Sequence, residues 1–580
     1  MTIDHDPENL EGFVPFPPEF AERYRKAGYW QDRSIASVFD EVCECYSERT
    51  ALISNGEHIK YRQVARRVER LALHFLALGL RYGDYFVMQL PNVPEFLYVY
   101  LALQKIGVRP VMALPSHRFT EISHFVGLSR AVGYAIPERQ GSFVFGELAS
   151  GLQQTYEHLR LVFVLGEVSQ PNQISLFDLL ETESGLSPEL LRVAEARIDP
   201  TSPALLLLSG GTTGVPKLIP RTHNDYIYNS RAAAAVCDLQ PDDRLLVVLP
   251  IAHNFPLACF GLQGCLLHGA SAVLSTSTRS QDLFMLIEQE RITHIEIVPT
   301  LLIRLLNDSL RTQHDLSSLR VIAVGGQKFS PEIKRRTEEL LPGCKIQEIF
   351  GMAEGLLCFV RLDDPAEIRY ETVGRPVSAD DEIRLVDDEG RDVPEGEVGE
   401  LLVRGPYTLR GYFRANEYNS RIFTPDGFYK TGDLMRRHPS GNYVVEGRKK
   451  DLINRGGEKI SAEEVEELIQ SHPAVFHVSC VPIPDPTLGE RMCACVIPLA
   501  GETLKLKEIC AFLTEKGVAK FKLPERLVLC DEFPLTRIGK VSKPLLVEHV
   551  LASLGHETVA RSLERIQIEA TMKQEDSTRP

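Results

Sequence analysis

The chain is predicted to be an α/β protein, with a large N-terminal domain of helix-covered, mostly parallel sheets and a small α+β C-terminal domain. Three observations carry this. Short apolar runs of strand length alternate with helical segments through most of the chain. A basic run meets two glycines in GRKKDLINRGG, 447–457, and marks a boundary. After it, short strands mix with one helix.

In the first domain, VARRVERLALHFLAL (64–78) spaces Val64, Val68, Leu71, Phe75 and Leu78 by 4, 3, 4 and 3, which makes one apolar helical stripe for core packing. YFVMQL (85–90), RLLVVLP (244–250), HIEIVP (294–299) and LRVIAVGG (319–326) have strand length and end at or beside Pro or Gly. A further apolar run, Leu205 to Leu208, ends in Ser209, Gly210, Gly211, Thr212, Thr213 and Gly214, with Lys217 beyond. SPEIKRRTEELL starts a helix with Ser330 as cap and Pro331 at the first helical position. Ligands of such sheets bind at the carboxyl ends of strands, where the glycine turns after Leu208 and Val324 fall. Past the boundary, Ser461 and Glu464 form a capping-box pattern ahead of Val465, Leu468 and Ile469. The closing TMKQEDSTRP reads as a flexible tail.

Composition narrows the function. Of 580 residues, 44% are hydrophobic and 25% charged, as in a soluble globular protein, and the formal charge of −15 argues against nucleic acid or an anionic membrane as partner. No run approaches the roughly 20 apolar residues that span a bilayer. MTIDHDPENLEGF is polar and acidic, unlike a secretory signal, so the expected location is cytoplasmic and the 12 cysteines are expected as reduced thiols. CEC (43–45) and CAC (493–495) lack the paired spacing of a zinc site.

The loop after Leu208 is built for an anion: small residues let backbone N–H groups approach a phosphate, and Lys217 adds positive charge. It is not a Walker A loop, because Val215 and Pro216 separate Gly214 from the lysine and Leu218 follows it. Other stretches join it. QEIFGMAEG (347–355) combines a strand, the aromatic Phe350, a turn at Gly351 and the acid Glu354. YKTGDL (429–434) offers Asp433 after a Thr-Gly turn, suited to a ribose diol. Arg448 stands in GRKKDLINRGGEKIS, and PLTRIGKVSK places Lys540 in a short glycine-containing loop.

In this order and spacing these stretches resemble the adenylate-forming superfamily of acyl-CoA synthetases, adenylation domains and firefly-type luciferases, over residues 12–560. GFVPFPPEFAERYRKAGYW (12–30), GVRPVMALPSHR (107–118), PIAHNFPLACFG (250–261) and FGMAEGLL (350–357) are most similar to the aryl-acid–AMP ligases of siderophore synthesis, which activate salicylate or 2,3-dihydroxybenzoate. The resemblance implies a core domain over 1–449 that includes a β-subdomain, a mobile domain over 450–560 that carries the catalytic lysine, and a tail over 561–580. It implies ATP and Mg²⁺ as cofactors, and a phosphopantetheinylated aryl carrier protein in trans as partner.

The same resemblance assigns roles. Lys540 reaches the carboxylate and α-phosphate; Ser209, Gly210, Gly211, Thr212, Thr213, Gly214 and Lys217 clasp the β- and γ-phosphates, Thr213 with a catalytic part; and Glu354 holds Mg²⁺. Phe350 and Gly351 cover adenine, Gly325 and Gly326 allow close backbone approach, and Asp433 and Arg448 bind ribose. Lys450 is the hinge, whose rotation turns Gly456, Gly457 and Lys459 toward the site for thiol entry. The acid pocket is formed by His253, Asn254, Phe255, Cys259, Gly325, Met352 and Leu356, with His253 near the carboxylate.

Amino-acid-activating relatives carry an aspartate at the position of Asn254; the neutral amide leaves a substrate ammonium without a partner and suits a ring 2-hydroxyl. Cys259 stands where dihydroxybenzoate activators have serine. A thiol favours a bare C3–H edge, hence salicylate. Phe260 and Ala258 also shape the pocket, so a substituted salicylate fits as well. An aryl-CoA ligase is the nearest alternative, since it shares the first half-reaction.

Overall fold

The computed structural model describes residues 10–209, 216–327, 329–455, 458–485, 488–536 and 539–553, without the side chains of Lys450, Asn454, Glu458 and Lys459. Contacts divide the chain into two units between Val445 and Glu446. Gly210–Gly214 of the phosphate loop, Gly456, Gly457 and the expected tail lie outside the described residues.

In the first unit, a seven-stranded sheet is built on Tyr85–Met88, Arg109–Met112, Gly133–Pro137 and Leu161–Leu165, all parallel. At its edge lie β1 (Pro203–Leu208), parallel to Arg109–Met112 through Leu206↔Val111, and β2 (Leu218–Thr222), antiparallel to β1 with Leu208 opposite Leu218. Val87, Val111, Ile136, Val162 and Leu206 share one core with Phe125 and Phe145 from the covering helices, so β1 is an all-apolar run because both its faces are covered. The helix of the 64–78 stripe spans Tyr61–Ala77: Val64, Val68, Leu71 and Phe75 are buried, while Leu78 is half-buried, because the helix has ended before it.

A nine-stranded sheet contains β3 (Arg244–Val247), β4 (His294–Ile297), β5 (Val321–Gly325) and β6 (Lys345–Gly351) as parallel neighbours, with Leu246↔Ile295, Ile295↔Ile322 and Ile322↔Ile346 in register. One face is covered by α1 (His223–Val236), α2 (Asn254–Ala258) and α3 (Gly261–Leu267). Gln347 Nε2 donates to Val236 O at 3.2 Å, and Gly261 N donates to Glu296 Oε1 at 3.1 Å. The helix Pro331–Leu340 begins where expected, but the Ser330 hydroxyl makes no capping bond; Pro331 has no N–H to satisfy.

A four-stranded sheet includes β7 (Gly399–Arg404) and, after α4 (Asn416–Ile422), its antiparallel neighbour β8 (Tyr429–Arg437). The Thr-Gly turn expected at 431–432 is instead a bulge within β8: Gly432 has φ +74° and the register shifts between Glu400 and Leu402.

In the second unit, Val475–Asp485 and Gly489–Pro498 form a long antiparallel pair rather than the short strands expected. Their alternation was hidden because both faces are apolar: Val478, Cys480, Met492 and Ala494 pack in one core, Val481, Ile483, Cys493 and Cys495 in another. Besides the helix Leu506–Glu515, residues 543–553 are helical and lend Leu546 and Val550 to the second core. The capping box at Ser461 is half-formed. Its hydroxyl accepts from Glu464 N at 3.3 Å, while the Glu464 carboxylate binds Lys522 Nζ at 2.6 Å.

Candidate active site

The β1–β2 hairpin fixes the ends of the phosphate loop. Ser209 N donates to Lys217 O at 2.9 Å, and Lys217 N donates to Ser209 Oγ at 2.9 Å, so the loop closes on a narrow base. Lys217 Nζ lies 4.0 Å from the centroid of Tyr418, on α4, a cation–π contact that holds the lysine at the base of the loop. Thr212 and Thr213 lie outside the described residues.

The carboxyl ends of β5 and β6 form the next wall. Gly326 has φ +96°. At Gly325 a Cβ would stand 3.3 Å from Phe255 Cζ and 3.1 Å from Ile349 O, so the glycine lets strand and ring approach. Phe350 is half-buried and Gly351 exposed at the end of β6; Met352 follows, half-buried. Gly355 at φ +117° is required, because a Cβ would fall 2.4 Å from Thr408 Cα, and Leu356 holds φ +59° beside it.

This turn presents Glu354, which is 8% exposed. Tyr412 Oη donates to Glu354 Oε1 at 2.6 Å and lies 3.0 Å from Tyr429 Oη, and Leu409 N donates to Glu354 O at 2.8 Å. Burial, then the Glu354 charge, push the Tyr412 phenol far above its ordinary value, so it stays a donor. Arg221, fully buried at the end of β2, donates from Nη1 to Ala353 O at 3.1 Å and from Nε to Asp225 Oδ1 at 2.8 Å. Sequence reasoning missed Arg221 and Tyr412, and neither stands in a pattern that singles it out.

The residues expected to line the acid pocket lie on α2 and the corner after it. His253 caps α2: its Nδ1 accepts from Phe255 N at 3.2 Å, which assigns the proton of the neutral ring to Nε2. Asn254, 4% exposed, accepts from Tyr226 Oη at 3.0 Å and donates from Nδ2 to Cys259 Sγ at 3.2 Å. One amide hydrogen is therefore taken by the thiol. Burial pushes the Cys259 thiol well up, so it is neutral at any working pH. The loop is tied from outside by buried Asn92, whose Nδ2 donates to Leu249 O at 2.9 Å and whose Oδ1 accepts from Ile251 N at 3.0 Å.

Asp433, 5% exposed, sits just after the bulge glycine, and its N–H donates to Thr431 Oγ1 at 3.0 Å. In the second unit, Arg448 ends the strand Tyr443–Arg448 with its side chain exposed. Lys540 lies in a tight turn. Its N donates to Thr536 Oγ1 at 3.1 Å, its O accepts from Thr536 N at 2.6 Å, and Gly539 takes φ +82°. Lys543 Nζ, buried, pairs with Glu466 Oε1 at 2.8 Å and anchors the far side of that turn. Among the described residues there is no group of three or more metal-ligating side chains, and no helix is long and apolar enough to cross a membrane.

The profile described as AMP-binding enzyme matches residues 39–413, and AMP-binding enzyme C-terminal domain matches residues 464–540. A salicylyl-CoA synthase / salicylate adenylyltransferase of Streptomyces sp. is 46% identical over 92% of this chain and 97% of its own length. The 2,3-dihydroxybenzoate-AMP ligase of Bacillus subtilis is 44% identical over 94% of this chain and 99% of its own. The salicyl-AMP ligase / salicyl-S-ArCP synthetase of Mycobacterium tuberculosis is 42% identical over 95% and 97%. Among solved structures, apo MbtA of Mycobacterium smegmatis superposes with a TM-score of 0.71 at 41% identity, covering 93% of this chain and 98% of that one.

Proposed function

Since the chain belongs to the AMP-binding enzyme family and is an adenylating ligase for an aryl carboxylic acid, we propose that the acid is salicylate or a substituted salicylate and that its acyl group passes to the phosphopantetheine thiol of an aryl carrier protein in trans. The observation that carries the reading is Asn254. A buried neutral amide, held between Tyr226 Oη and Cys259 Sγ, stands where an ammonium would need a carboxylate, and its second amide hydrogen suits a ring 2-hydroxyl.

The substrate carboxylate attacks the α-phosphorus of ATP in line and pyrophosphate leaves. Two anions approach, so the site's work is positioning and charge neutralisation. In this reading Lys540 meets the carboxylate and α-phosphate, Ser209 and Lys217 hold the mouth of the loop on the β- and γ-phosphates, Phe350 covers adenine, and Asp433 and Arg448 hold the ribose. His253 presents its Nε2 hydrogen toward the carboxylate. Lys450 is the hinge of the second half-reaction, in which the carrier thiolate attacks the acyl carbonyl and AMP leaves.

Glu354 fits a Mg²⁺ site of the kind that uses one carboxylate plus substrate phosphates, because a buried carboxyl group is oriented there by the Tyr412 hydroxyl. Bound there, the ion would neutralise phosphate charge.

Pyrophosphate release with ATP, Mg²⁺ and a panel of salicylate, 2,3-dihydroxybenzoate, 6-methylsalicylate, benzoate, anthranilate and amino acids tests the reading. Salicylates should lead; an amino acid in first place would refute it. The Streptomyces relative is named a salicylyl-CoA synthase as well as a salicylate adenylyltransferase. AMP release with CoA, set against loading of a holo carrier protein, separates the two acceptors.

A further inference from the structure

Glu296 lies within β4 and is 1% exposed. In register it stands beside Val247 on β3 and Ala323 on β5. Paired residues share a sheet face, so Glu296 points to the same side as Ala323 and, two residues on, Gly325. That side carries α2 and the corner leading into α3. Gly325 faces the Phe255 ring there, and Gly261, two residues after Cys259, donates its N–H to Glu296 Oε1 at 3.1 Å. Glu296 thus forms part of the floor beneath Asn254, Phe255 and Cys259.

The state of the carboxyl follows. Burial pushes it well above the ordinary carboxylate range, and one backbone N–H is the partner that opposes this, so Glu296 is a neutral acid. The carbonyl oxygen is the better acceptor, which assigns Oε1 to the Gly261 N–H and leaves the hydrogen on Oε2. Oε2 is buried and has no hydrogen-bond partner among the described residues. An orphaned buried donor beside the expected acid-pocket residues is a group that a ligand there could satisfy.

We propose that Glu296 determines specificity by donating this hydrogen to the substrate, so that the preferred aryl acid carries a ring hydrogen-bond acceptor beyond its carboxylate and 2-hydroxyl: a ring nitrogen, or an ether or hydroxyl oxygen. The inference rests on the aryl-acid reading and narrows it. Sites that hydrogen-bond a substrate group discriminate strongly against analogues lacking it, because the protein group is then left unpaired.

The competing role is structural. Gln347 Oε1, on the same face one strand beyond Ala323, also lacks a partner among the described residues, and an internal water joining it to Glu296 would make both groups part of the core.

Pyrophosphate exchange is measured for salicylate against 3-hydroxypicolinate, 2-hydroxy-4-methoxybenzoate and 2,4-dihydroxybenzoate, acids that keep the C3–H edge Cys259 favours, in wild type, Glu296→Gln and Glu296→Met. The readout is the kcat/KM ratio between each acid and salicylate, with melting temperature alongside. In wild type at least one acceptor-bearing acid should exceed salicylate by about tenfold. Glu296→Gln keeps an N–H donor at that position and should keep the ratio; Glu296→Met should bring it near one. The proposal is overturned if no acceptor-bearing acid exceeds salicylate in wild type, or if Glu296→Met lowers the melting temperature and leaves the ratio as it was. Activity with none of these acids but with an amino acid would refute the aryl-acid reading, and this inference with it.

Discussion

Replacing Tyr412 by phenylalanine removes one hydroxyl and tests how Glu354 is held. That hydroxyl donates to Glu354 Oε1 at 2.6 Å in a place where tyrosine is 3% exposed, so water cannot readily replace it. Hydrogen bonds to a charged group contribute roughly 1.5–3 kcal/mol. If Glu354 orients Mg²⁺ on the phosphates, the loss should appear as a fall of about 10- to 100-fold in adenylation at limiting Mg²⁺, partly recovered at high Mg²⁺. Tyr429→Phe is the control: its Oη lies 3.0 Å from that of Tyr412, so its effect should be several-fold smaller. The assay is pyrophosphate exchange across a Mg²⁺ titration. A Tyr412→Phe enzyme with an unchanged rate and Mg²⁺ midpoint would refute the role given to Glu354 and to the hydroxyl.

Lys540→Ala should abolish adenylation while ATP still binds by calorimetry; an unchanged exchange rate would remove that lysine from the reaction. Cys259→Ser should shift relative kcat/KM from salicylate toward 2,3-dihydroxybenzoate by several-fold, since a hydroxyl replaces a thiol that now takes an Asn254 hydrogen. Half-buried Asp381, which accepts from Tyr407 Oη at 2.5 Å and whose Oδ1 is shielded from solvent, is pushed up to about 8, chiefly by desolvation. It holds its proton when folded and loses it when unfolded, so its contribution to stability is full below the ordinary carboxylate pKa, near 4, and falls as pH rises toward 8. Asp381→Asn should flatten that pH slope in melting curves recorded from pH 5 to 8; equal slopes would mean the carboxyl is ionised in the fold.

Much of the local framework around the expected site was legible because its parts are local. A loop of small residues after an apolar run, a glycine turn at a strand end, and an acid after that turn are patterns within ten residues, and backbone sterics favour turns there whatever surrounds them. The same locality explains the misplaced details. The Thr-Gly pair at 431–432 has turn chemistry, yet pairing with β7 keeps it in a strand and turns it into a bulge. Glu464 completes a capping pattern, yet Lys522, 58 residues away, takes its carboxylate.

By itself the sequence determined the alternating core, the strand end at Leu208 from which the small-residue loop leaves, the turn presenting Glu354 and the neutral residue at Asn254, because each depends on side-chain type and short-range geometry. The tertiary structure alone decided what holds them. Tyr412 meets Glu354 across 58 residues of chain, and Arg221 meets Ala353 across 132. Glu296, one acidic residue in a short buried strand, acquired its proposed role only when the sheet register set it beside the Gly261 corner. Partners this distant in the chain leave no periodicity to read. They are chosen by which faces the packed sheets bring together and by the cost of leaving a buried polar group unpaired.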